Sequence, residues 1–463
     1  MIRLFSRYIS KNNILYFIVE GFIIFWGVLL AIGIGFYISK EGDISPEYIV
    51  LKILFITLIC QLALIYNEGY SINFKDSKRI LLIKILESFG VTFIFLSISY
   101  FFFPQLIIGK GVFLLTIAIL PPLLFIWRIA YVLMPIFDQN KERILIIGTD
   151  ELAIAIGKRI IEKSYAGYQM IGYITEDEKR VGERLFNPSI IATTKEILSI
   201  VEKNRIDRII VALPEMRGRF PVIPLLKLRL AGVEVEDGVS FYEKICGKIH
   251  VNHLKPGWLI FSTGFRNRQI ELGKRVIDIL LAAFWILVTA PFMLITAALI
   301  KFDSPGPVLF RQERVGQGGK VFTLLKFRSM KIDAEAESGP VWAETEDKRV
   351  TRVGRIIRKL RIDELPQMIN VLKGDMSFVG PRPERPYFVK DLEKTIPYYS
   401  IRNTVKPGIT GWAQINYPYG ASVEDALEKL QYDIYYIKNM TLLFDLTIFI
   451  ETIRTVLYGS GAR

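Results

Sequence analysis

The sequence predicts a membrane protein with three parts: a membrane α-helical bundle of four spans, an α/β Rossmann-like domain, and a mainly α-helical domain with a re-entrant membrane helix. Three observations predict it. Four long apolar runs fill residues 1–138, short apolar segments alternate with amphipathic ones over residues 139–262, and one more apolar run lies near the start of residues 263–463. A chain of 463 residues also has the length of about three domains.

The apolar runs of the first domain cover residues 15–38, 48–66, 80–103 and 112–137. Each reaches roughly the 20 residues that a helix needs to cross a hydrocarbon layer of ~30 Å. Four buried helices of a large soluble protein are the alternative, but runs this apolar and this close together are typical of membranes. The first run is too long for a removable signal peptide and lacks a small-residue cleavage site. We therefore predict four spans within residues 1–138.

The loops between the spans carry an uneven share of positive charge. The basic side chains before the first span, between the second and third, and after the fourth are Arg3, Arg7, Lys11, Lys75, Lys78, Arg79, Lys141 and Arg143. The two remaining loops offer only Lys40 and Lys110. Because positive loops stay on the cytoplasmic side, we expect the amino terminus, the middle loop and everything after residue 138 to be cytoplasmic.

The net charge of +13 fits a protein that faces anionic lipid headgroups or anionic substrates. Nucleic acid is the rival interpretation of such a charge, but no recognised nucleic-acid motif accompanies it, so no nucleic acid is expected as a partner. Cys60 and Cys246 have no paired spacing, which argues against a disulfide framework and against a zinc site. The two histidines, His250 and His253, lie near a domain boundary and are interpreted as structural.

The middle domain alternates between short apolar strands and amphipathic helices. This alternation implies a parallel sheet with helices on its faces. The turn after the first strand reads Gly148-Thr149-Asp150, and Asp150 stands where a dinucleotide fingerprint needs its second glycine. A carboxylate there repels phosphate, so we predict a structural or regulatory module rather than a nucleotide site. Strands are predicted at residues 144–147, 170–174, 208–213 and 232–236, and helices up to residue 161, near 195–203 and near 221–231.

Residues 279–300 contain no charged side chain and look at first like a fifth span. Pro291 near their centre removes one backbone hydrogen bond, and its ring clashes with the carbonyl of Leu287. We therefore predict that a helix over about residues 272–301 enters the inner leaflet, bends at Ala290-Pro291 and returns. A kinked but complete span is the alternative. Both flanks are basic, so a simple crossing would leave one cluster outside the cell: Lys274, Arg275, Lys301, Arg311 and Arg314.

The adjacent carboxylates Asp363 and Glu364 follow a basic segment with helical periodicity over residues 351–362. A second helix is predicted to begin at Asp363, because Asp is a good N-cap and Pro366 is tolerated in a first turn. Asp363 would then lie at the positive end of a helix dipole beside Arg358. This environment is expected to keep Asp363 ionised, and therefore nucleophilic or able to bind a metal. An N-cap with a surface ion-pair cluster is the alternative.

Cations from other segments favour the chemical interpretation of this pair. A pyrophosphate with a metal needs a ring of donors, and arginine is preferred for bidentate contact. Four such cations lie within residues 310–330, and a fifth belongs to a glycine-cornered loop at residues 373–383. The candidate phosphate-binding side chains are Arg311, Arg314, Lys326, Arg328 and Arg382.

At these residues the sequence resembles a known family. From about residue 272 to 463 it is similar to the catalytic domain of bacterial sugar transferases, the monotopic polyprenyl-phosphate phosphoglycosyl transferases, and the four spans and Rossmann-like module resemble the large members of that family. One departure is Ala290-Pro291, where members commonly carry Ser-Pro; Thr289 is expected to replace the serine hydroxyl toward a freed carbonyl. The matching segments are residues 274–278, 303–307, 310–316, 326–330, 363–367, 374–377, 380–383 and 406–412.

The resemblance implies a two-step transfer. Asp363 would attack the β-phosphate of a UDP-sugar held with Mg²⁺, UMP would leave, and undecaprenyl phosphate would attack the resulting sugar-phosphoryl enzyme. Asp363 and Glu364 would hold the Mg²⁺, while Arg358 and Arg382 would neutralise charge on the transferring phosphoryl group. The resemblance also assigns a set of side chains to substrate binding: Arg311, Arg314, Lys326, Arg328 and Asp375.

The resemblance further implies a place among the lipids of a bacterial inner membrane, a catalytic domain that faces the cytoplasm, a homodimer, and a role at the start of surface polysaccharide assembly. Two other functions stay open. One is a membrane-anchored sensor or scaffold with a nucleotide-binding middle domain and a degenerate carboxy-terminal domain. The other is an NAD-dependent sugar epimerase or dehydratase fused to the spans, against which Asp150 argues. No motif in the sequence identifies the sugar.

Overall fold

The computed structural model describes residues 2–4, 7–9, 11–39, 48–66, 78–109, 111–133, 141–162, 167–213, 221–265, 268–331, 349–418, 420 and 422–458. These residues form two compact units, essentially Tyr8–Asp237 and Gly238–Arg463, each of which is described by itself. The boundary after Asp237 precedes the predicted one at residue 262, and the division into three domains stays a prediction.

The first unit opens with apolar helices. Three of them contain windows long and apolar enough to cross a membrane, Tyr16–Ile38, Lys84–Phe102 and Val112–Ala130, and another apolar helix, Ile49–Ile65, is shorter. Each predicted span therefore coincides with an apolar helix. The loop residues Lys40, Lys75 and Lys110 lie outside the described residues. The elements are the short strands β1 (Ile2–Leu4) and β2 (Arg7–Ile9) and the helices α1 (Lys11–Ser39), α2 (Ile49–Tyr66), α3 (Lys78–Phe102) and α4 (Val112–Leu133).

These four helices pack through apolar side chains and leave other apolar side chains exposed. Ile24, Ile53, Ile85 and Leu120, one from each helix, are fully buried. Trp26 and many other large apolar side chains point away from this core and are exposed. Exposed apolar surface on this scale is expected where lipid rather than water surrounds the helices.

One ion pair is buried inside the bundle. Glu20 of α1 accepts two hydrogen bonds from Arg128 of α4, 2.7 Å from Nε and 3.1 Å from Nη2. Both side chains are at most 1% exposed. Tyr16 donates to the same carboxylate at 3.3 Å. Because a single buried charge would be costly, each member of the pair requires the other, and together they link α1 to α4.

The remainder of the first unit is an α/β region on a parallel sheet. Its elements follow in the order β3 (Glu142–Ile147), α5 (Glu151–Glu162), β4 (Tyr168–Thr175), β5 (Ile190–Thr193), α6 (Ile197–Asn204), β6 (Arg208–Val211), α7 (Val222–Leu230) and β7 (Glu234–Asp237). The strands pair in parallel in the spatial order β5-β4-β3-β6-β7. The predicted parallel sheet is confirmed. Strand β5 was not predicted from the sequence.

The glycine turn after β3 has a structural cause. Gly148 has a φ of +123°, a conformation that favours glycine. A side chain at this position would also collide with the carbonyl of Ala212, just after β6. The sheet therefore requires the glycine, and the glycine is no argument for a bound phosphate.

The second unit is mainly helical. Its only sheets among the described residues are an antiparallel hairpin and a short parallel pair. The elements are α8 (Gly238–Cys246), α9 (Pro256–Phe261), α10 (Arg268–Asp303), β8 (Leu309–Val315), β9 (Val321–Phe327), α11 (Arg352–Lys359), α12 (Gln367–Lys373), β10 (Ser377–Val379), α13 (Pro386–Thr395), β11 (Gly408–Thr410), α14 (Trp412–Asn416), α15 (Val423–Asn439) and α16 (Leu442–Tyr458).

Helix α10 contains the predicted re-entrant segment. It is a single helix of 36 residues with Pro291 inside it, and it is apolar enough to cross a membrane. The hydroxyl of Thr289 donates to the carbonyl of Trp285 at 2.7 Å, not to that of Leu287, so the expected replacement for the serine hydroxyl is wrong. An i−4 bond of this kind is the usual one for a helical threonine. The re-entrant path stays a prediction.

The core of the second unit forms where α14, α15 and α16 meet. The ring of Trp412 stacks on Tyr435 and packs edge-on against Phe444. The indole nitrogen of Trp412 donates to the carbonyl of Gly247 at 2.7 Å, which satisfies the one polar atom of a buried ring. This core supports the strand pair β10–β11, from which the loop of residues 380–383 leads toward the acidic pair.

Candidate active site

The acidic pair lies in a tight turn between α11 and α12. Arg361 adopts a left-handed conformation with φ of +58°, and Ile362–Glu364 form one turn of 3-10 helix. Helix α12 begins only at Gln367, and Pro366 occupies its N-cap position. The prediction that Asp363 is an N-cap is therefore wrong. In a helix capped by Asp363, Pro366 would be the third residue, and it has no N–H to donate to the Asp363 carboxylate. The chain instead forms a 3-10 turn before the helix starts.

Asp363 is a buried carboxylate, and one of its oxygens has no hydrogen bond within the described part of the chain. Its side chain is 8% exposed, and Oδ1 has no hydrogen-bond partner among the described residues. Burial and the neighbouring Glu364 raise the pKa of Asp363, against the opposing effect of Lys326, Arg361 and Arg358. The sequence predicted that cations and a helix dipole keep this group ionised. Burial works against that, because removing a carboxylate from water disfavours its charged form.

Glu364 has the opposite environment. Its Oε1 lies 2.9 Å from Lys326 Nζ, 3.1 Å from Arg382 Nη2 and 3.9 Å from Arg361 Nη1. Burial opposes its ionisation, but these three cations outweigh burial and hold the pKa of Glu364 well below its usual range. Burial in turn lowers the pKa of Lys326, although Glu364 lies beside it. Two adjacent carboxylates thus have pKa values shifted in opposite directions, an arrangement typical of catalytic sites.

Two of the predicted substrate-binding cations reach the acidic pair. Lys326 extends from strand β9, and Arg382 extends from the loop after β10. Arg358, on α11, is half-buried and acts electrostatically on Asp363. Arg361 was missed by the sequence analysis. Its spacing of three residues from Glu364 is the signal that could have identified it.

The other predicted substrate-binding residues are described by contacts with groups other than the acidic pair. The buried guanidinium of Arg328 donates to the carbonyls of Ser304 at 2.7 Å and Pro305 at 2.6 Å, so it ties strand β9 to the segment that follows α10. Arg314 donates to the carbonyl of Pro383 at 3.0 Å, which braces the loop that carries Arg382. Arg311 is exposed. Asp375 lines a cavity of about 940 Å³ together with residues of the β8–β9 turn.

A buried arginine holds the backbone of the Arg382 loop. Arg402 donates from Nη2 to the carbonyl of Arg382 at 2.8 Å and pairs with Asp433 of α15 at 3.0 Å. Gly380, at the start of this loop, has no room for a side chain, because a Cβ would collide with the carbonyl of Lys406. These two features explain why the Gly-Pro-Arg segment takes one path and presents Arg382 to Glu364.

The residues present fit a divalent cation. Mg²⁺ takes oxygen ligands and is commonly held by one or two carboxylates together with substrate phosphates. Oδ1 of Asp363 is buried and has no hydrogen-bond partner among the described residues, so it can serve as a metal ligand. The carboxylate of Glu364 is its direct neighbour. Asp363 and Glu364 are therefore the residues that would hold Mg²⁺.

Comparison with known proteins identifies two family models in the chain. The model of the bacterial sugar transferase family matches residues 269–459, which include the acidic pair and its cations. A model described as a CoA-binding domain matches residues 66–219.

Three curated relatives illustrate the similarity. The UDP-N-acetylgalactosamine-undecaprenyl-phosphate N-acetylgalactosaminephosphotransferase of Aeromonas hydrophila is 46% identical over 239 residues, 52% of this chain and 56% of that protein. The UDP-glucose:undecaprenyl-phosphate glucose-1-phosphate transferase of Xanthomonas campestris pv. campestris is 31% identical over 69% of this chain and 67% of that protein. An enzyme of the same name from Caulobacter vibrioides is 44% identical over 42% of this chain and 73% of that protein.

The chain covers a different share of each of these relatives. The chain spans 56% of the length of the Aeromonas relative, and it covers at least two thirds of the Xanthomonas and Caulobacter relatives at 31% and 44% identity. The chain therefore belongs to the bacterial sugar transferase family, and the relatives it matches are named as undecaprenyl-phosphate sugar phosphotransferases.

Proposed function

We propose that the protein transfers a sugar-1-phosphate from a UDP-sugar to undecaprenyl phosphate and releases UMP, as the first membrane step in the assembly of a surface polysaccharide repeat unit. One observation carries the proposal: a buried carboxylate oxygen of Asp363 without a partner lies beside Glu364, whose charge is balanced by Lys326 and Arg382. The proposed nucleophile, a neighbouring anion and two cations thus lie close together in a chain of the bacterial sugar transferase family.

In the first half-reaction, Asp363 Oδ1 attacks the β-phosphorus of the UDP-sugar. A new O–P bond forms, the bond from that phosphorus to the bridging oxygen breaks, and UMP leaves with the bond's electrons. The absence of a hydrogen-bond donor on Oδ1 favours attack, because no N–H group stabilises its charge in the ground state. Burial raises the pKa of Asp363, and Lys326, Arg361 and Arg358 act against that shift, in favour of the carboxylate that attacks.

In the second half-reaction, an oxygen of undecaprenyl phosphate attacks the same phosphorus. The aspartyl ester bond breaks, Asp363 leaves as a carboxylate, and undecaprenyl-diphospho-sugar is formed. When bound, Mg²⁺ would supply positive charge to the phosphate oxygens. Arg358 and Arg382 would neutralise charge that develops on the transferring group. The exposed apolar surface of α10 supports a site at the membrane, where a lipid phosphate and a soluble nucleotide can meet.

We propose further that the catalytic domain faces the cytoplasm of a bacterial inner membrane, because UDP-sugars are cytoplasmic and the loop charges favour this orientation. The sugar is left open. Relatives are named for N-acetylgalactosamine and for glucose, so a panel of UDP-sugars that includes both is the direct comparison. A homodimer remains a prediction from the resemblance, and cross-linking in membranes would test it.

The decisive experiment is release of UMP by purified protein in the presence of a UDP-sugar panel, undecaprenyl phosphate and Mg²⁺. Asp363→Asn should abolish release, whereas Asp391→Asn, which changes an exposed aspartate on α13, should leave it unchanged. With a UDP-sugar labelled at the β-phosphate and no lipid acceptor, wild-type protein should retain label and Asp363→Asn should not. Near-normal UMP release by Asp363→Asn would show that another group is the nucleophile.

A sensor or scaffold is the second candidate, and one observation favours it: the match of residues 66–219 to a CoA-binding domain model suggests a ligand for the α/β region. If wild-type protein released no UMP from any UDP-sugar yet bound a nucleotide through residues 141–213, this second candidate would replace the first.

A further inference from the structure

The side chain of Asn370, on helix α12, makes two hydrogen bonds to one strand. It is 1% exposed, its Oδ1 accepts from the N–H of Leu325 at 3.0 Å, and its Nδ2 donates to the carbonyl of Thr323 at 2.8 Å. Both backbone groups belong to strand β9. The amide thus pairs with the N–H of one residue and the C=O of the residue two positions away. A neighbouring strand would make the same two bonds with its backbone, so the side chain takes the place of such a strand.

The geometry of the hairpin explains why this contact is needed. Strand β9 pairs with β8 along one edge only, with Thr323 opposite Glu313 and Leu325 opposite Arg311. Asn370 satisfies groups on the other edge, where an unpaired N–H or C=O in the interior would be costly. The side chain therefore fixes where β9 lies on helix α12.

That position determines a contact in the active site. Lys326 directly follows Leu325 in β9, and its Nζ lies 2.9 Å from Glu364 Oε1. Glu364 belongs to the turn that leads into α12, the helix that carries Asn370. The hairpin and the acidic pair are thus joined twice, by the Asn370 amide and by the Lys326–Glu364 ion pair. If the Asn370 hydrogen bonds are lost, strand β9 can move, and the distance between Lys326 and Glu364 then changes.

Asn370 also organises the chain after α12. Its backbone carbonyl accepts from the N–H groups of Gly374 at 3.1 Å, Asp375 at 3.1 Å and Met376 at 3.3 Å. These bonds end the helix and begin the path into β10, which continues to the loop of Arg382. One residue therefore lies between the two segments that supply cations to Glu364.

We propose that Asn370 is a positioning residue for the transfer reaction. It holds β9 against α12 so that Lys326 stays on Glu364 beside the nucleophile, and it acts through Lys326 rather than on the substrate. This inference rests on the proposed function and adds a residue to it. An amide is required because leucine has neither hydrogen-bonding group and aspartate lacks the donor for the Thr323 carbonyl.

The test is a double-mutant cycle on kcat/KM for UMP release, with single-turnover measurements to extend the range. We expect Asn370→Leu to lower kcat/KM about 10- to 100-fold, since displacement of a catalytic group by about 1 Å can cost that much. In a Lys326→Met background the same change should cost no more than about twofold, because residues that act through one contact are not additive.

The matched control is Asn439→Leu. Asn439 is a buried asparagine of α15 whose side chain also makes two hydrogen bonds, to Glu243 and to the carbonyl of Tyr435. Its substitution should lower the melting temperature and should combine additively with Lys326→Met. Should Asn370→Leu fail to fold, Asn370→Asp enters the same cycle, and we expect the same non-additivity.

Two results would overturn the inference: Asn370→Leu with wild-type kcat/KM, or a loss that is equally large with and without Lys326. Either outcome leaves the proposed function intact, because the wild-type protein would still release UMP. Absence of UMP release by the wild-type protein overturns the proposed function, and this inference with it.

Discussion

The guanidinium of Arg402 donates to the backbone carbonyl of Arg382 at 2.8 Å, so one buried arginine positions another that reaches Glu364. The candidate site is assembled from segments distant in sequence: strand β9, the turn before α12, and the loop after β10. Buried polar side chains hold two of these segments: Asn370 holds β9 against α12, and Arg402 holds the loop after β10. The geometry of the candidate site therefore depends on interior hydrogen bonds.

Loss of Arg402 should damage the fold as well as the site. Arg402→Met leaves the carboxylate of Asp433, which is 2% exposed, without its cation. Breaking a buried pair by removing one partner costs about 3–5 kcal/mol, so we expect a clear drop in melting temperature in detergent. In the double variant Arg402→Met with Asp433→Leu the drop should be smaller. Equal drops in the single and double variants would contradict the prediction.

The same pair predicts a pH dependence of stability. Burial raises the pKa of Asp433 to about 6, although Arg402 opposes the shift. A carboxyl whose pKa is raised in the folded state binds its proton more tightly there than in the unfolded chain. Stability from this group is therefore fully present below its ordinary pKa near 4 and is lost as pH rises to about 6, by about 3 kcal/mol.

Thermal unfolding of wild type and Asp433→Asn between pH 4 and 7 measures this effect. The wild type should lose stability with rising pH relative to the variant across that window, because the variant has no proton to release. Parallel curves for the two proteins would show that Asp433 does not titrate in this range.

Elements that depend on local pattern could be predicted from the sequence. The helices of the first unit follow from apolar length, and the parallel sheet follows from alternation of short apolar strands with amphipathic helices. Lys326 and Arg382, which do contact Glu364, were identified because clustered cations near paired carboxylates indicate phosphate chemistry. Lys326 and Arg382 lie 38 and 18 residues from Glu364 along the chain, so the sequence showed their charge but not their contacts with Glu364.

Features that depend on tertiary contacts could not be predicted. The start of α12 was misplaced because the left-handed turn at Arg361 is set by packing, and a non-glycine residue gives no sign of it. Arg328 was assigned to substrate because its charge is visible in sequence, whereas its carbonyl partners at Ser304 and Pro305 are not. Asn370 was missed because a neutral polar residue in an apolar helix has no distinctive spacing.

Loss of charge should raise the stability of the fold at Asp363 and lower it at Glu364. Burial makes ionised Asp363 unfavourable, so Asp363→Asn should raise the melting temperature at neutral pH in the absence of Mg²⁺. Glu364→Gln removes the anion that balances Lys326, Arg382 and Arg361, and should destabilise by about 3 kcal/mol or more. Both variants should lose activity. Destabilisation by Asp363→Asn would contradict the inference that burial makes the ionised form of this group unfavourable.

Removal of metal should act through the same pair. If Asp363 and Glu364 hold Mg²⁺, the ion stabilises the folded wild type by about 2.7 kcal/mol at a concentration 100-fold above its Kd. Asp363→Asn should abolish most of this stabilisation, whereas Asp391→Asn should keep it. The measurement is the melting temperature across a Mg²⁺ titration, with chelator as the zero point. A Mg²⁺ effect equal in all three proteins would place the ion elsewhere.

The buried pair of Glu20 and Arg128 should be dispensable only as a pair. Arg128→Met alone leaves an unpaired carboxylate between α1 and α4 and should destabilise the bundle by about 3–5 kcal/mol. Changing Glu20 to leucine as well removes the charge and should restore most of that loss, because apolar side chains of similar size often replace a buried ion pair without cost.

Unfolding of the single and double variants in detergent or bicelles, followed by helicity, gives both values. UMP release should follow folding in these variants, since neither residue belongs to the unit that carries Asp363. A double variant as unstable as Arg128→Met alone would mean that the charges themselves, and not merely their mutual pairing, hold α1 against α4.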